Sequence, residues 1–331
     1  MRPPRTRLTL ALVGLASTAT LALAGCSGGG STDGTPTVVT STDVWASVAS
    51  AVAGDKADVT ALYTSSEGDP HEFEPSASDT AKAADAQVVL INGGHYDSYL
   101  EDAPKADGAT VVNAFDLLSD DEHEHAAEHG SESEHADDHA ESGEGHAHNH
   151  GETNEHVFYD LVVVGQVADK VADALAEKSP DNAQFFRDNA KKFTEQIDGL
   201  RAKLAQIKRA HNGTDVAQTE PLAGYMLTEA GLKDVAPAGF TEAVEGGQSP
   251  SAADRAAMED LLRTRTAKTF VYNTQAVDPV TEALLALAKS ANVPVVEFTE
   301  TLPTGVTSYI DWQSKQIDAL SGALTASGNA R

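Results

Sequence analysis

Eight of the chain's twelve histidines lie between residues 121 and 150, as His123, His125, His129, His135, His139, His146, His148 and His150, among ten carboxylates and no Lys or Arg. Imidazole nitrogen and carboxylate oxygen are the donors that zinc and its first-row neighbours take, so the chemistry on offer is binding of a divalent cation. The tract includes His125-Ala126-Ala127-Glu128-His129, a formal match to an inverted zinc-protease signature. That signature needs a helix with an apolar face, and these residues sit among Ser, Gly, Asp and Glu with nothing to build a core. The tract therefore reads as a disordered acidic loop, residues 120–152, that captures metal weakly at several places as an accessory to a site elsewhere.

Four histidines remain: His71, His95, His156 and His211. His71 lies in "EGDPHEFEPSASD", a Pro-bounded loop after an expected strand, the place where open α/β sheets bind ligands. His156, in "TNEHVFYDLV", opens a helix. Glu220 closes "DVAQTE" just before Pro221, and Glu300 follows the strand "PVVEF". Two such groups fall in each half of the chain, and together they would make a shell of two nitrogens and two carboxylates. His211, at an expected helix C-terminus, is explained by dipole complementarity, and His95 reads as a solvated group.

The elements that must position them alternate. Strand-like runs at 37–41, 57–63, 87–92 and 110–115 are interleaved with Ala-rich helical stretches, which predicts a parallel sheet covered by helices. Helical periodicity follows at 157–178 and 180–210, the second opening on Pro180 and long enough to tie two lobes together. The alternation resumes with strands at 215–220, 269–274 and 294–298, helices at 222–232, 250–265 and 279–291, and a last helix from about Tyr309 to Leu324. Pro75-Ser76-Ala77-Ser78-Asp79 is echoed by Pro250-Ser251-Ala252-Ala253-Asp254, and the strands that follow end in Asn92 and Asn273. The expected fold class is α/β: two similar lobes, each a parallel sheet flanked by helices with its own core, joined by one long rigid helix. The boundaries expected are 37–179, 180–210 and 211–331.

Arg2, Arg5 and Arg7 precede an apolar run from Leu8 to Ala24 that ends in Leu-Ala-Gly-Cys, the build of a secretory signal over residues 1–25. Cys26 is the only cysteine, which excludes a disulfide within the chain and a thiolate metal site. Residues 26–36 form a Ser/Gly tether. The net charge of −28 makes nucleic acid and anionic surfaces poor partners and cations good ones.

"DPHEFEPS", a histidine-rich insertion, "EHVFYD", a connecting helix, "TEPLAGYMLTEAGL" and "FTETLPTGVTSYIDWQSKQIDAL", in this order, resemble the zinc/manganese solute-binding lipoproteins of ABC uptake transporters. The resemblance spans nearly all of the chain beyond the signal. It implies a protein lipidated at Cys26, held outside the cell membrane, monomeric, and delivering Zn²⁺, with Mn²⁺ as the alternative, to an ABC permease. It implies no enzymatic activity, and metal-dependent surface adhesion is the alternative from another class. The ligands it implies are His71, His156, Glu220 and Glu300, with Glu242 and Glu297 as competing carboxylates for the last position. Two imidazoles and two carboxylates suit tetrahedral zinc, whereas manganese favours more oxygen.

Overall fold

Val38, Val39, Val88, Val89, Leu90 and Ile91 are β-branched or aliphatic residues buried on both faces of their strands, which is the signature of a parallel sheet covered on each side. In the computed structural model, which describes residues 34–118 and 154–329, they belong to a four-stranded parallel sheet. Its strands are β1 (Thr37–Thr42), β2 (Asp58–Tyr63), β3 (Val88–Ile91) and β4 (Thr110–Asn113), in the order β2-β1-β3-β4. A second parallel sheet repeats that order as β6-β5-β7-β8, from β5 (Asp215–Gln218), β6 (Lys233–Asp234), β7 (Phe270–Asn273) and β8 (Val295–Phe298). Expectations for residues 1–33, Cys26 included, and for 119–153 with its eight histidines lie outside the described residues.

Helices α1 (Asp43–Ala53), α2 (Ala77–Asp85) and α3 (Ser98–Glu101) belong to the first half, followed by α4 (Leu161–Lys178) and the long α5 (Ala183–His211). At 29 residues α5 is about 44 Å long, and a short 3₁₀ turn, Pro180–Asn182, leads into it. Its buried stripe, Phe186, Ala190, Phe193, Ile197, Leu200, Leu204 and Ile207, recurs at three- and four-residue spacing. The second half carries α6 (Gly224–Glu229), α7 (Ala238–Glu245), α8 (Ala252–Arg263), α9 (Pro279–Ser290) and α10 (Tyr309–Asn329). The echoed Pro-Ser segments do open helices. Ser76 accepts from Asp79 N and Ser251 from Asp254 N, each satisfying a donor the first turn would otherwise leave bare.

Two local expectations change. The helix read from 157 begins only at Leu161, because Asp160 caps it by accepting from Val162 N and Val163 N, and residues 157–159 form a separate 3₁₀ turn. The short helix α7 was not expected.

The cores also differ from one per lobe. The largest runs through both halves, joining Val38, Trp45 and Val88 to Phe158, Tyr159, the α5 stripe, Phe298, Tyr309 and Trp312. Tyr159 stacks on Phe298 with ring centroids 5.6 Å apart, and its hydroxyl donates to Thr299 O at 2.7 Å. The last helix brings Tyr309 against the first half, where its hydroxyl donates to Phe158 O and its N–H to Ser47 Oγ, both at 2.8 Å. Smaller clusters, one around Phe240, Met258 and Phe270 and another around Val89, Ile91 and Leu100, fill the outer layers. A core shared in this way fixes the two sheets relative to one another far better than a single connecting helix would.

Candidate metal centre

Strand ends of both sheets converge on one place. His71 sits in a 3₁₀ turn, Pro70–Glu72, after β2, and Asp69 caps that turn by accepting from His71 N at 2.8 Å. His156 stands just before the 157–159 turn and is wholly buried. Glu300 follows β8 and is 1% exposed, its backbone N–H donating to Gln275 Oε1 at 2.6 Å. The structure brings these three together. Glu300 Oε2 lies 3.4 Å from His71 Nε2 and 3.5 Å from His156 Nε2.

A fourth group faces them that the sequence reading did not select. Glu245, the last residue of α7, places Oε1 at 3.6 Å from both Nε2 atoms. Phe240 and Val244 at i,i+4 spacing, between Pro237 and Gly246-Gly247, are the signal that would have found this helix. Glu242 and Glu297, the competitors weighed from sequence, belong to no cluster of groups suited to a metal among the described residues.

Glu220 is buried in the adjoining layer at 3% exposure and does not join these groups. The Asn273 side chain, at the end of β7, explains its position, since Asn273 Nδ2 donates to Glu220 Oε1 and, at 2.8 Å, to Glu300 Oε1.

The imidazoles are oriented from behind. Asn154 Nδ2 donates to Pro221 O at 2.7 Å, which turns its Oδ1 towards His156 Nδ1 at 2.9 Å. That contact keeps the proton on Nδ1 and aims the Nε2 lone pair inward. Glu155 Oε1 stands 3.5 Å from Nδ1 of the other ring, His71. Tyr96 packs edge-on against His71, ring centroids 4.5 Å apart, and its hydroxyl donates to Glu300 Oε2 at 2.9 Å. Gly93 and Gly94, both at positive φ, turn the chain so that Tyr96 comes back into the site, and a Cβ on Gly93 would collide with the Asn113 side chain.

Both Nε2 atoms are buried without a hydrogen-bond partner among the described residues, an expensive arrangement unless a ligand completes it. The spacing suits a four-coordinate metal ion. A tetrahedral ion with bonds of about 2.0–2.2 Å has ligand-to-ligand edges of about 3.3–3.6 Å, and the four nitrogen–oxygen separations fall at 3.4–3.6 Å.

Electrostatics agree. Burial opposes charge on His71, yet Glu300, Glu245 and Glu155 outweigh it and push the imidazole up to about 10. His156 is also raised, because Glu245 and Glu300 overcome its burial. Burial would raise Glu300 too, but the two imidazoles beside it hold it well below the usual carboxylate range. Glu245 is pushed up to about 7 by burial, against the pull of both histidines. Glu220, buried beside the other two carboxylates, is raised well above its usual range. The carboxylates thus favour the protonated form of the imidazoles in the absence of metal, and the same charge favours a dication between them.

Residues 38–323 match the family described as zinc-uptake complex component A, periplasmic, or ZnuA. The chain belongs to this family. The high-affinity zinc uptake system protein ZnuA of Bacillus subtilis is 28% identical to this ZnuA-family chain over 283 residues, 82% of each protein. The zinc-binding lipoprotein AdcA of Streptococcus pneumoniae is 27% identical over 327 residues, which are 96% of this chain but 61% of that longer protein. In fold this ZnuA-family chain is similar to the laminin binding protein Lmb of Streptococcus agalactiae, described as having adhesin and metal transporting activity. The TM-score is 0.67 at 21% identity, over 88% of this chain and 100% of that one. The periplasmic zinc binding protein TroA of Treponema pallidum gives 0.66 at 18% identity, over 88% and 99%. Both likenesses concern the fold.

Proposed function

We propose that this chain captures one Zn²⁺ between its two sheets, through His71 Nε2, His156 Nε2, Glu300 Oε2 and a fourth carboxylate oxygen, and delivers it to an ABC permease. The observation that carries the reading is the pair of buried, unpartnered Nε2 atoms set at tetrahedral edge distance from the same two carboxylate oxygens. We assign the fourth position to Glu245, whose Oε1 lies 3.6 Å from both Nε2 atoms, rather than to Glu220, the residue expected from sequence. Membership of a zinc-uptake family supports zinc as the cargo, and the names of the Bacillus and Streptococcus relatives agree. Four protein ligands leave no open position for an activated water, which fits a carrier rather than a hydrolase.

The chain acts outside the cytoplasm, anchored by a lipid at Cys26. Among the described residues no helix is long and apolar enough to cross a membrane. The histidine tract supplies weak accessory sites. Manganese is the second reading, favoured by the third carboxylate, Glu220, because that ion prefers more oxygen donors.

A chelator-competition titration with Zn²⁺ and Mn²⁺ in parallel, on protein lacking Cys26 and residues 120–152, tests this function. One tight zinc site and weaker manganese are expected. Loss of all tight binding on deleting the tract would move the cargo site into the tract and overturn the proposal.

A further inference from the structure

The groups around the two Nε2 atoms differ in depth. His156 and Glu300 are sealed, with side chains 0% and 1% exposed, whereas His71 and Glu245 keep 21% and 19% of theirs in contact with solvent. Glu155, also 19% exposed, brings Oε1 to 3.5 Å from His71 Nδ1. His71, Glu155 and Glu245 make a second group suited to a metal, with one ligand atom from each lying within 4.8 Å of the others. Among the described residues this group and the trio of His71, His156 and Glu300 are the ones so arranged, and His71 belongs to both. The trio is largely buried, while every member of the second group reaches solvent.

The segment that carries Glu155 is pinned from both halves. The Tyr225 hydroxyl donates to Asn154 O at 2.6 Å, and Asn154 Nδ2 donates to Pro221 O. Glu155 O accepts from Asn92 Nδ2 and from Val157 N, both at 2.8 Å. With its backbone fixed in this way, Glu155 presents a carboxylate beside the His71 ring without further ordering of the chain. Glu245 has an oxygen to spare, since Oε1 faces both Nε2 atoms and Oε2 is buried without a hydrogen-bond partner among the described residues.

A hydrated dication must exchange its waters for protein donors before it can occupy the buried centre. Three donors met first let that exchange run in steps, because an ion held by one imidazole and two carboxylates keeps room for water in the rest of its shell. The ion then gains His156 and Glu300 as it gives up Glu155, and departure retraces the same steps.

We propose that His71, Glu155 and Glu245 form a transfer site, a shallow three-ligand position for a divalent cation through which zinc enters and leaves the buried centre. The inference rests on the cargo site proposed above and concerns the path to it.

The test is Glu155→Gln in the full chain beyond Cys26, a change that keeps the size of the side chain and the backbone contacts of the segment. Stopped-flow mixing with Zn²⁺ gives the loading rate. Excess chelator gives the release rate of the tightly held ion, as a slow phase after ions on the histidine tract have gone. A position on the path lowers the barrier in both directions, so its loss should slow loading and release together, each about tenfold, and their ratio, the affinity, should change little. Other roles for this carboxylate give other results. Long-range attraction alone would slow loading and leave release as it was. An outer-shell contact to His71 would weaken the site and speed release. Either of these, or unchanged rates, would overturn the inference. Absence of a tight zinc site in the unsubstituted protein would reject the cargo site itself, whereas a tight site whose release ignores Glu155 rejects the transfer site alone.

Discussion

The two sheets have the same strand order, and each has an asparagine at the end of its third strand in sequence, yet the two amides serve different partners. Asn92, after β3, works on its own half. Its Nδ2 donates to Glu155 O at 2.8 Å and Gly93 O at 3.0 Å, and its Oδ1 accepts from Trp45 Nε1 at 3.2 Å. Asn273, at the end of β7, grips the carboxylates of Glu220 and Glu300. The first half supplies the imidazoles, with the side chains of Asn154 and Glu155 facing their Nδ1 atoms. The second half supplies the carboxylates facing them, two of which, Glu220 and Glu300, share the Asn273 amide. A repeated scaffold thus divides its labour between nitrogen and oxygen, and each asparagine serves the donor type of its own half.

The sharpest way to break the comparison is to remove a nitrogen. His156→Ala deletes a wholly buried ligand and leaves the Glu245 and Glu300 carboxylates facing each other without the imidazole between them. The tight zinc site should vanish in a titration with the histidine tract deleted. Retention of nanomolar-class zinc binding would remove the first half from the site.

Acid should come next in size. His71 is pushed up to about 10 in the metal-free protein, so near neutral pH zinc binding must expel its proton. Each proton displaced costs affinity about tenfold per pH unit below the group's pKa, hence about a hundredfold between pH 7 and pH 5. Calorimetry in buffers of different ionisation enthalpy at pH 7 should record release of at least one proton, and buffer-independent heats would contradict the assignment. The same shift carries a stability prediction of fixed sign. Because the folded-state value lies above that of free imidazole, pairing of His71 stabilises the metal-free protein fully below about pH 6.5 and ceases to as pH rises through about 10.

Within the second half, Glu245→Gln and Glu220→Gln separate a carboxylate at ligand distance from one held by an amide. The first should weaken zinc far more than the second, whose effect should stay within the roughly tenfold to hundredfold range of outer-shell changes. Equal losses would mean that Glu220 moves in when metal arrives and that Asn273 does not hold it.

How much of this was legible in the sequence follows from how each residue is specified. His71, His156 and Glu300 lie in loops bounded by strong strand and proline signals, so their places at strand ends could be read locally. The strands themselves, buried on both faces, announce a parallel sheet. Glu245 was missed because an eight-residue helix with two core contacts, Phe240 and Val244, gives a weak periodic signal. The restraint on Glu220 was out of reach for another reason. It depends on Asn273, 53 residues away in the chain, and nothing in either segment alone records the pairing. The shared core is non-local in the same way, since Tyr159, Phe298, Tyr309 and Trp312 come from segments whose own patterns fit separate lobes.

The smallest expected effect on metal, and the one that isolates the comparison, comes from Asn92→Ala. That amide is fully buried and its loss strands Trp45 Nε1, for a cost of about 1–3 kcal/mol, while Glu155 O keeps its bond from Val157 N. Thermal or denaturant unfolding should show a clear destabilisation. Zinc affinity should not move, because Asn92 bonds no ligand side chain and leaves Asn273 and both of its carboxylates untouched. Placed beside Asn273→Ala, which takes a donor from both carboxylates, it asks whether two amides at matching strand ends differ in kind. A change in zinc affinity on replacing Asn92 would show that binding depends on general tightness of the site, and the contrast between the two halves would then be one of degree.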